Sequence, residues 1–202
     1  MRQLSVVVLA SASPRRLDLL TSLGLVVRVV PSNVNEGDRP GYGPREIAAL
    51  YAEAKAEAVA DLGESGLIVA ADTVVDLDGK TLGKPRGRDE AAAMLRALSG
   101  REHLVHTAYA LRERAHAVAY GATRTSRVRF AALDEATIAR YVATGEPLDK
   151  AGGYGIQGRG AALVERIEGD FYTVMGFPLG DFVRTLPALG YELAAAVGTA
   201  GA

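Results

Sequence analysis

An apolar run, Leu4-Ser-Val-Val-Val-Leu-Ala10, breaks abruptly into Ser11-Ala-Ser-Pro-Arg-Arg16 and then into the leucine-rich Leu17-Asp-Leu-Leu-Thr-Ser-Leu23. A buried strand therefore feeds directly into a helix. Ser13 is a favoured N-cap type, and Pro14 suits the first helical position, where its missing N–H would have gone unpaired. Arg15 and Arg16 follow in the first turn, at the positive end of the helix dipole, where cations are disfavoured. On this spacing two readings stand level: a capped helix with two solvated arginines, or an anion site built from guanidinium forks and free backbone N–H groups.

A chain of 202 residues, 49% of them hydrophobic, can bury a sizeable core without needing a second domain. Its formal net charge of -1 gives no general attraction to nucleic acid or to an anionic membrane, so neither is expected as a partner. The absence of cysteine excludes disulfides, thiolate metal sites and a cysteine nucleophile, and fits a reducing cytoplasm. Arg2, the short apolar run and Ala10-Ser-Ala12 mimic a secretion signal. That reading fails, because the run is at the short limit and cleavage would part the strand from its helix. No later stretch is long and uncharged enough to span a membrane.

Leu25 to Val30 and Leu67 to Ala71 read as buried strands, being β-branched or small and bounded by turn residues. Between them lie a loop over Pro31 to Gly43 and a helix starting near Pro44. Within Arg45 to Ala60, Ile47, Leu50, Tyr51, Ala54 and Ala58 follow helical spacing and put Lys55 at the edge of the buried stripe. Such a lysine reaches over a cleft or, more commonly, snorkels to water. Asp78-Gly79 signals a hairpin, and Asp89 to Leu98 reads as a helix ended by Ser99-Gly100. His103 to Arg112 and Ala117 to Phe130 read as strands joined by Glu113-Arg114, and Leu133 to Thr144 as a helix capped by Asp134. Ala151 to Gly160 is a glycine-dense loop. Ala162 to Ile167 and Phe171 to Met175 read as strands, and a closing helix runs from Gly176-Phe-Pro178 to about Leu189. The expected architecture is α/β, a mixed twisted sheet with flanking helices and two lobes around a cleft. It occupies 1–192 as a single domain, with 193–202 as a frayed tail.

Asp72 follows a buried apolar run, where open α/β sheets carry their sites. A carboxylate there can bind a divalent cation through oxygen, or take a proton from an attacking water; a lone aspartate at such a place more often only starts a turn. Glu36 offers a second carboxylate in the long loop. In Gly83-Lys84-Pro85 the proline stiffens the chain beside a cation. Lys150-Ala-Gly-Gly-Tyr-Gly-Ile-Gln157-Gly158 is neither a dinucleotide fingerprint nor a P-loop, yet its glycines permit close approach to a flat ligand and Gln157 offers an amide for a base edge. His103 and His106, three apart on a strand, point to opposite faces and read as surface or half-buried residues, not metal ligands.

Taken in order, Ser11-Ala-Ser-Pro-Arg-Arg16, Glu36, Lys55, Ala71-Asp-Thr-Val74, Gly83-Lys-Pro85, Leu98-Ser-Gly100, Asp149-Lys-Ala-Gly152, Tyr154-Gly-Ile-Gln157-Gly158 and Gly176-Phe-Pro178 closely resemble the Maf family. The resemblance implies a nucleoside triphosphate pyrophosphatase using a divalent metal, Mg²⁺, Mn²⁺ or Co²⁺. It also implies a fold related to the inosine triphosphate pyrophosphatases and frequent homodimers. By the family pattern Asp72 matches the base that activates water. Ser11, Ser13, Arg16, Lys55 and Lys84 match phosphate positions, and Glu36 with Asp72 the metal ligands. Arg15, Thr73 and Gln157 fall at the positions that divide the family by substrate, and they resemble the branch preferring dTTP and UTP. The alternatives are the same chemistry on modified or purine nucleotides such as 7-methyl-GTP, or a nucleotide-binding cell-division regulator whose turnover is incidental.

Overall fold

The computed structural model describes residues 1–37 and 39–194. In chain order its elements are β1 (Arg2–Leu4), β2 (Val6–Leu9), α1 (Pro14–Ser22), β3 (Val26–Val29), α2 (Pro44–Ala60), β4 (Leu67–Leu77), β5 (Lys80–Leu82), α3 (Arg88–Leu98) and β6 (Glu102–Glu113). There follow β7 (Val118–Phe130), α4 (Glu135–Ala143), β8 (Val164–Glu168), α5 (Phe171–Met175), α6 (Leu179–Thr185) and β9 (Tyr191–Leu193). The main sheet runs β3-β2-β4-β6-β7-β8, with β5 also on β4; β2 lies parallel to β3 and β4, and the remaining pairs are antiparallel. This is the mixed sheet with flanking helices that the sequence led us to expect.

The central strand β4 sets the position of the site. One edge of it pairs with β6 continuously from Ile68 to Asp76. Its other edge is divided, since β2 pairs with Leu67 to Val69 and β5 with Val75 to Leu77. Between these partners the edge has no strand beside it, and a cleft opens there. Asp72 therefore lies inside an eleven-residue strand, not at a strand end as expected. The strand that ends is its neighbour β2.

On one face of the sheet, α2 packs Ala48, Ala52, Ala56 and Val59 against Ile68, Ala70, Ala108 and Ala110. The buried stripe of α2 thus follows its small residues, with Ile47, Leu50, Ala54 and Ala58 only half-buried, and it places Lys55 inside the interface. Methyl side chains on both surfaces let helix and sheet approach closely, and that overrides a stripe drawn through larger residues. The opposite face carries two cores. One joins α1 and α6 to β4 and β6 through Leu20, Val69, Tyr109, Phe177 and Phe182. The other joins α3 and α4 through Val75, Leu95, Phe130, Ile138 and Tyr154. Burying a ring such as Phe182, which is 0% exposed, contributes about 2–3 kcal/mol.

Several sequence expectations need correction. β3 is an edge strand, with Val26 64% exposed, not a buried one. The turn between β6 and β7 falls at Arg114–His116, followed by Ala117 at φ 53°. His103 and His106 are both buried, although they do point to opposite faces as alternation requires. Phe171–Met175 is a short helix and not a strand: the Asp170 carboxylate accepts the Thr173 N–H at 2.7 Å, and this cap overrides the β preference of the aromatic residues. β9 pairs parallel with β1, so Leu193, assigned above to the tail, belongs to a strand. Residues 195–202 of that tail lie outside the described residues. The Asp78-Gly79 turn takes φ of 53° and 82°, the two positive angles of a type I′ hairpin. Among the described residues, no helix is long and apolar enough to cross a membrane.

Candidate active site

The strand–helix junction forms one wall of a cleft of about 990 Å³, which Lys55, Asp72, Lys84 and Gln157 also line. Ser13 occupies the N-cap position of α1, but its hydroxyl makes no cap bond. The turn is tied instead by Ser11, whose Oγ accepts the Ser13 N–H at 3.2 Å and Arg16 Nη1 at 3.0 Å. With both lone pairs filled, the Ser11 hydroxyl proton is available to an acceptor in the cleft.

Arg16 is not the solvated cation of the bland reading. It is 9% exposed and donates through Nε to the Gly176 carbonyl at 2.9 Å, through Nη1 to Ser11 and through Nη2 to Thr73 Oγ1 at 3.1 Å. One N–H on each Nη is left over. Burial lowers its pKa, and the nearby Asp72 carboxylate opposes that shift. Arg15, in contrast, reaches across the cleft to Asp149, at 3.1 Å.

On the α2 side, one ammonium holds two carboxylates. Lys55 Nζ lies 2.7 Å from Asp72 Oδ1 and 2.5 Å from Glu36 Oε1. The two acids respond in opposite directions. Asp72, 7% exposed, is pushed above its ordinary pKa by burial, which outweighs the pull of Lys55 and Arg16. For Glu36 burial also acts upward, but the Lys55 hydrogen bond and charge, with Lys84 and Arg16 behind them, carry it below its ordinary value. Lys84 itself is exposed after the hairpin. The turn before it is held to the other lobe by the Gly152 N–H, which donates to the Gly83 carbonyl at 3.0 Å.

A divalent cation at this place would meet hard oxygen donors. Asp72 Oδ2 has no protein hydrogen bond among the described residues, and the Glu36 carboxylate lies in the same ammonium's reach. Two carboxylates, with phosphate oxygens and water completing the shell, suit a Mg²⁺-like ion. No group of three or more His, Asp or Glu able to hold a metal occurs among the described residues, so the protein alone offers no closed cage.

Gln157 is exposed in the glycine-dense loop. That loop is clamped by a residue the sequence reading missed, Glu146. Its carboxylate accepts the Tyr141 hydroxyl at 3.0 Å and the backbone N–H groups of Arg159 and Gly160, each at 3.1 Å. Gly160 has no room for a side chain, because a Cβ would overlap the Gly155 carbonyl oxygen and lie 2.6 Å from the Tyr141 hydroxyl. Arg39 was also missed; it lines the cleft with its guanidinium 5.5 Å from the centroid of the Tyr51 ring. Nothing in the local pattern of that loop distinguishes it. Glu146 has a faint signal, in that an acid between Gly145 and Pro147 stands at a turn from which it can reach forward.

Thr73, expected to help select the base, lines the cleft. Its hydroxyl is engaged by Arg16 and, at 2.9 Å, by Thr107.

Residues 6–189 match the family described as Maf-like protein. The chain belongs to the Maf family. It is 46% identical over 187 residues to a dTTP/UTP pyrophosphatase of Pelotomaculum thermopropionicum, covering 93% of this chain and 98% of that one. It is 49% identical over 185 residues to a dTTP/UTP pyrophosphatase of Thermus thermophilus, covering 92% and 95%. Among solved structures, a nucleoside-triphosphatase (dITP/XTP pyrophosphatase) of Mycobacterium abscessus superposes with a TM-score of 0.44 at 17% identity, covering 91% and 98%. That last likeness is too loose to add to what the Maf family match shows.

Proposed function

We propose that this Maf-family chain hydrolyses dTTP and UTP to the nucleoside monophosphate and pyrophosphate. The observation that carries the reading is that Asp72 and Glu36 share the one Lys55 ammonium in a cleft that Arg16 and Lys84 also line, with burial raising the pKa of the first acid and Lys55 lowering that of the second. Paired acids whose environments drive their pKa values apart divide the labour of acid–base chemistry. Asp72, raised toward working pH and with Oδ2 open, takes the proton of a water as its oxygen attacks the α-phosphorus. The bond from the α-phosphorus to the bridging oxygen breaks, and pyrophosphate leaves. Glu36 stays ionised.

Ser11, Ser13, Arg16, Lys55 and Lys84 face the phosphates. The hydroxyl proton of Ser11 and the spare Nη hydrogens of Arg16 donate to phosphate oxygens, and Lys84 supplies an exposed positive charge. A divalent cation held by Glu36 and Asp72 supplies Lewis-acid charge stabilisation when bound. Gln157 reads the base, since a pyrimidine such as thymine or uracil presents a carbonyl acceptor beside an N–H donor and an amide answers both. Arg15 supports that choice from the opposite lip, and Thr73 acts on selection only through Arg16. The protein works as a single domain, as a homodimer, in the cytoplasm.

Incubation with a panel of nucleoside triphosphates tests the reading. Pyrophosphate is the expected first product, with dTTP and UTP turned over best and all activity lost on chelation. No turnover of either nucleotide with Mg²⁺, Mn²⁺ or Co²⁺ ends it.

A further inference from the structure

We propose that Thr107 is a positioning residue of this site, the middle member of a one-way hydrogen-bond relay that orients the Arg16 guanidinium. The inference rests on the reading of Arg16 as a phosphate-facing group, and its new members, Thr107 and Thr173, lie outside the sequence motifs quoted above.

The direction of the relay follows from proton counting. Thr107 Oγ1 lies 2.7 Å from the Thr173 carbonyl oxygen, which can only accept, so the single hydroxyl proton of Thr107 goes there. The 2.9 Å contact between Thr73 and Thr107 must then be a donation by Thr73. With its proton so placed, Thr73 Oγ1 turns a lone pair to Arg16 Nη2. The alternative acceptor for Thr73, the Gly176 carbonyl, is 3.5 Å away and already takes Arg16 Nε. Each link thus has one orientation.

The relay is also rigidly mounted. Thr73 and Thr107 are paired in register on β4 and β6, on the face where the two cores meet, and Thr107 and Thr173 are both 0% exposed. Both carbonyl acceptors come from the C-terminal end of α5: Thr173 also takes the Gly176 N–H at 3.2 Å, and Gly176 is the residue that ends the helix. α5 is fixed in turn by Asp170, whose carboxylate takes the Thr173 N–H and hydroxyl, each at 2.7 Å. Asp170 exchanges two backbone bonds with Ser126 Oγ on β7, at 2.8 and 2.9 Å. Had Phe171–Met175 been a strand, these carbonyls would lie in a ladder and the arginine would have no floor.

Removing the Thr107 hydroxyl frees the Thr73 proton to turn toward Gly176, where it competes with Arg16. Thr107→Val is expected to lower kcat/KM for dTTP about tenfold, carried mainly by KM, the scale of one lost hydrogen bond. Thr107→Ser, which keeps the hydroxyl, should return to within twofold of wild type. A Thr107→Val enzyme as active as wild type, or a Thr107→Ser enzyme as impaired as the valine variant, overturns the relay. A readout independent of turnover uses the wild-type protein alone: arginine side-chain NMR at low temperature should show separate, slowly exchanging Nη protons for Arg16. A single averaged Arg16 signal also overturns the relay, whereas absence of dTTP hydrolysis with resolved Arg16 signals would refute only the proposed function.

Discussion

Asp72 and Thr73 are consecutive residues of β4, yet they serve opposite faces of the sheet: Asp72 meets Lys55 on α2, and Thr73 meets Arg16 on α1. Strand alternation makes this unavoidable. What makes it useful is the missing stretch of neighbour between β2 and β5, which lets one cleft reach both faces. Their partners, Lys55 and Arg16, are therefore mounted on separate helices with independent packing. Substitutions at these adjacent positions should give unlike kinetic defects.

Asp72→Asn should reduce kcat about 10²–10⁴-fold, the usual worth of a general base, while nucleotide binding persists. The pH profile of the wild type should show the origin of the effect. Asp72 must be ionised to accept a proton, and burial raises its pKa, so the acid limb of kcat/KM should lie above the ordinary aspartate range. The sign for stability is the reverse. A carboxyl with a raised folded pKa favours folding below its unfolded pKa, and that advantage is lost as pH rises through the folded value, so the Tm of the wild type relative to the asparagine variant should fall as pH rises through that range. Stopped assays from pH 4 to 9 with parallel melting curves check both.

Gln157→Glu replaces an amide that donates and accepts by a carboxylate that only accepts. One base contact is lost and an acceptor is set against a pyrimidine carbonyl, so kcat/KM for dTTP and UTP should fall about tenfold to a hundredfold. Hydrolysis of a purine triphosphate run beside them should fall less, and an equal loss on every nucleotide would remove Gln157 from base selection.

Gly160→Ala forces a methyl group against the Gly155 carbonyl and the Tyr141 hydroxyl. The loop must shift, carrying Gln157 with it. The expected result is a raised KM for dTTP with a smaller change in kcat, together with a lowered Tm, read from initial rates and a thermal melt on the same preparation.

His103 gives the chain an acid-sensitive point in its buried core. Its Nε2 lies 2.7 Å from the Tyr154 hydroxyl, its Nδ1 has no partner among the described residues, and burial pushes its pKa down to about 4. Because the folded pKa is depressed, its contribution is complete above the unfolded value of 6.5 and is lost as pH falls from there toward about 4. The whole loss is of order 3 kcal/mol. His103→Gln, which does not titrate, should flatten the dependence of unfolding free energy on pH across that window. Equal slopes in urea titrations of the two proteins would exclude the histidine as its source.

The strand–helix junction was legible because apolar patterning, Pro14 and the paired arginines all act within a few residues of one another. The acids and cations of the site were legible as residue types in matching order. Their roles depended on contacts that no local pattern carries. Lys55 looked peripheral because helical spacing was drawn through Ile47 and Leu50, and only the alanine-lined sheet face shows that the narrow stripe is buried. The partners of the Thr73 hydroxyl, Arg16 and Thr107, come from distant parts of the chain, so its contacts are not encoded near it. Phe171–Met175 misled because its aromatic and β-branched composition favours a strand, whereas one carboxylate, Asp170, decides for the helix. Glu146 acts on backbone groups more than a dozen residues ahead, a closure that spacing does not announce.

β1 and β9 pair residue for residue, Arg2 with Tyr191 through Leu4 with Leu193, and the Arg2 guanidinium stacks on the Tyr191 ring at 4.1 Å. During synthesis the earlier of these strands leaves the ribosome well before the later one, with seven other strands between them. The segment at Ser11–Arg16, two steps after β1, must therefore wait for distant partners such as Gly176 before it can take shape. Such long-range closure slows folding and prolongs exposure of the unpaired N-terminal strands, so the cleft that Ser11 and Gly176 line is completed only late in folding.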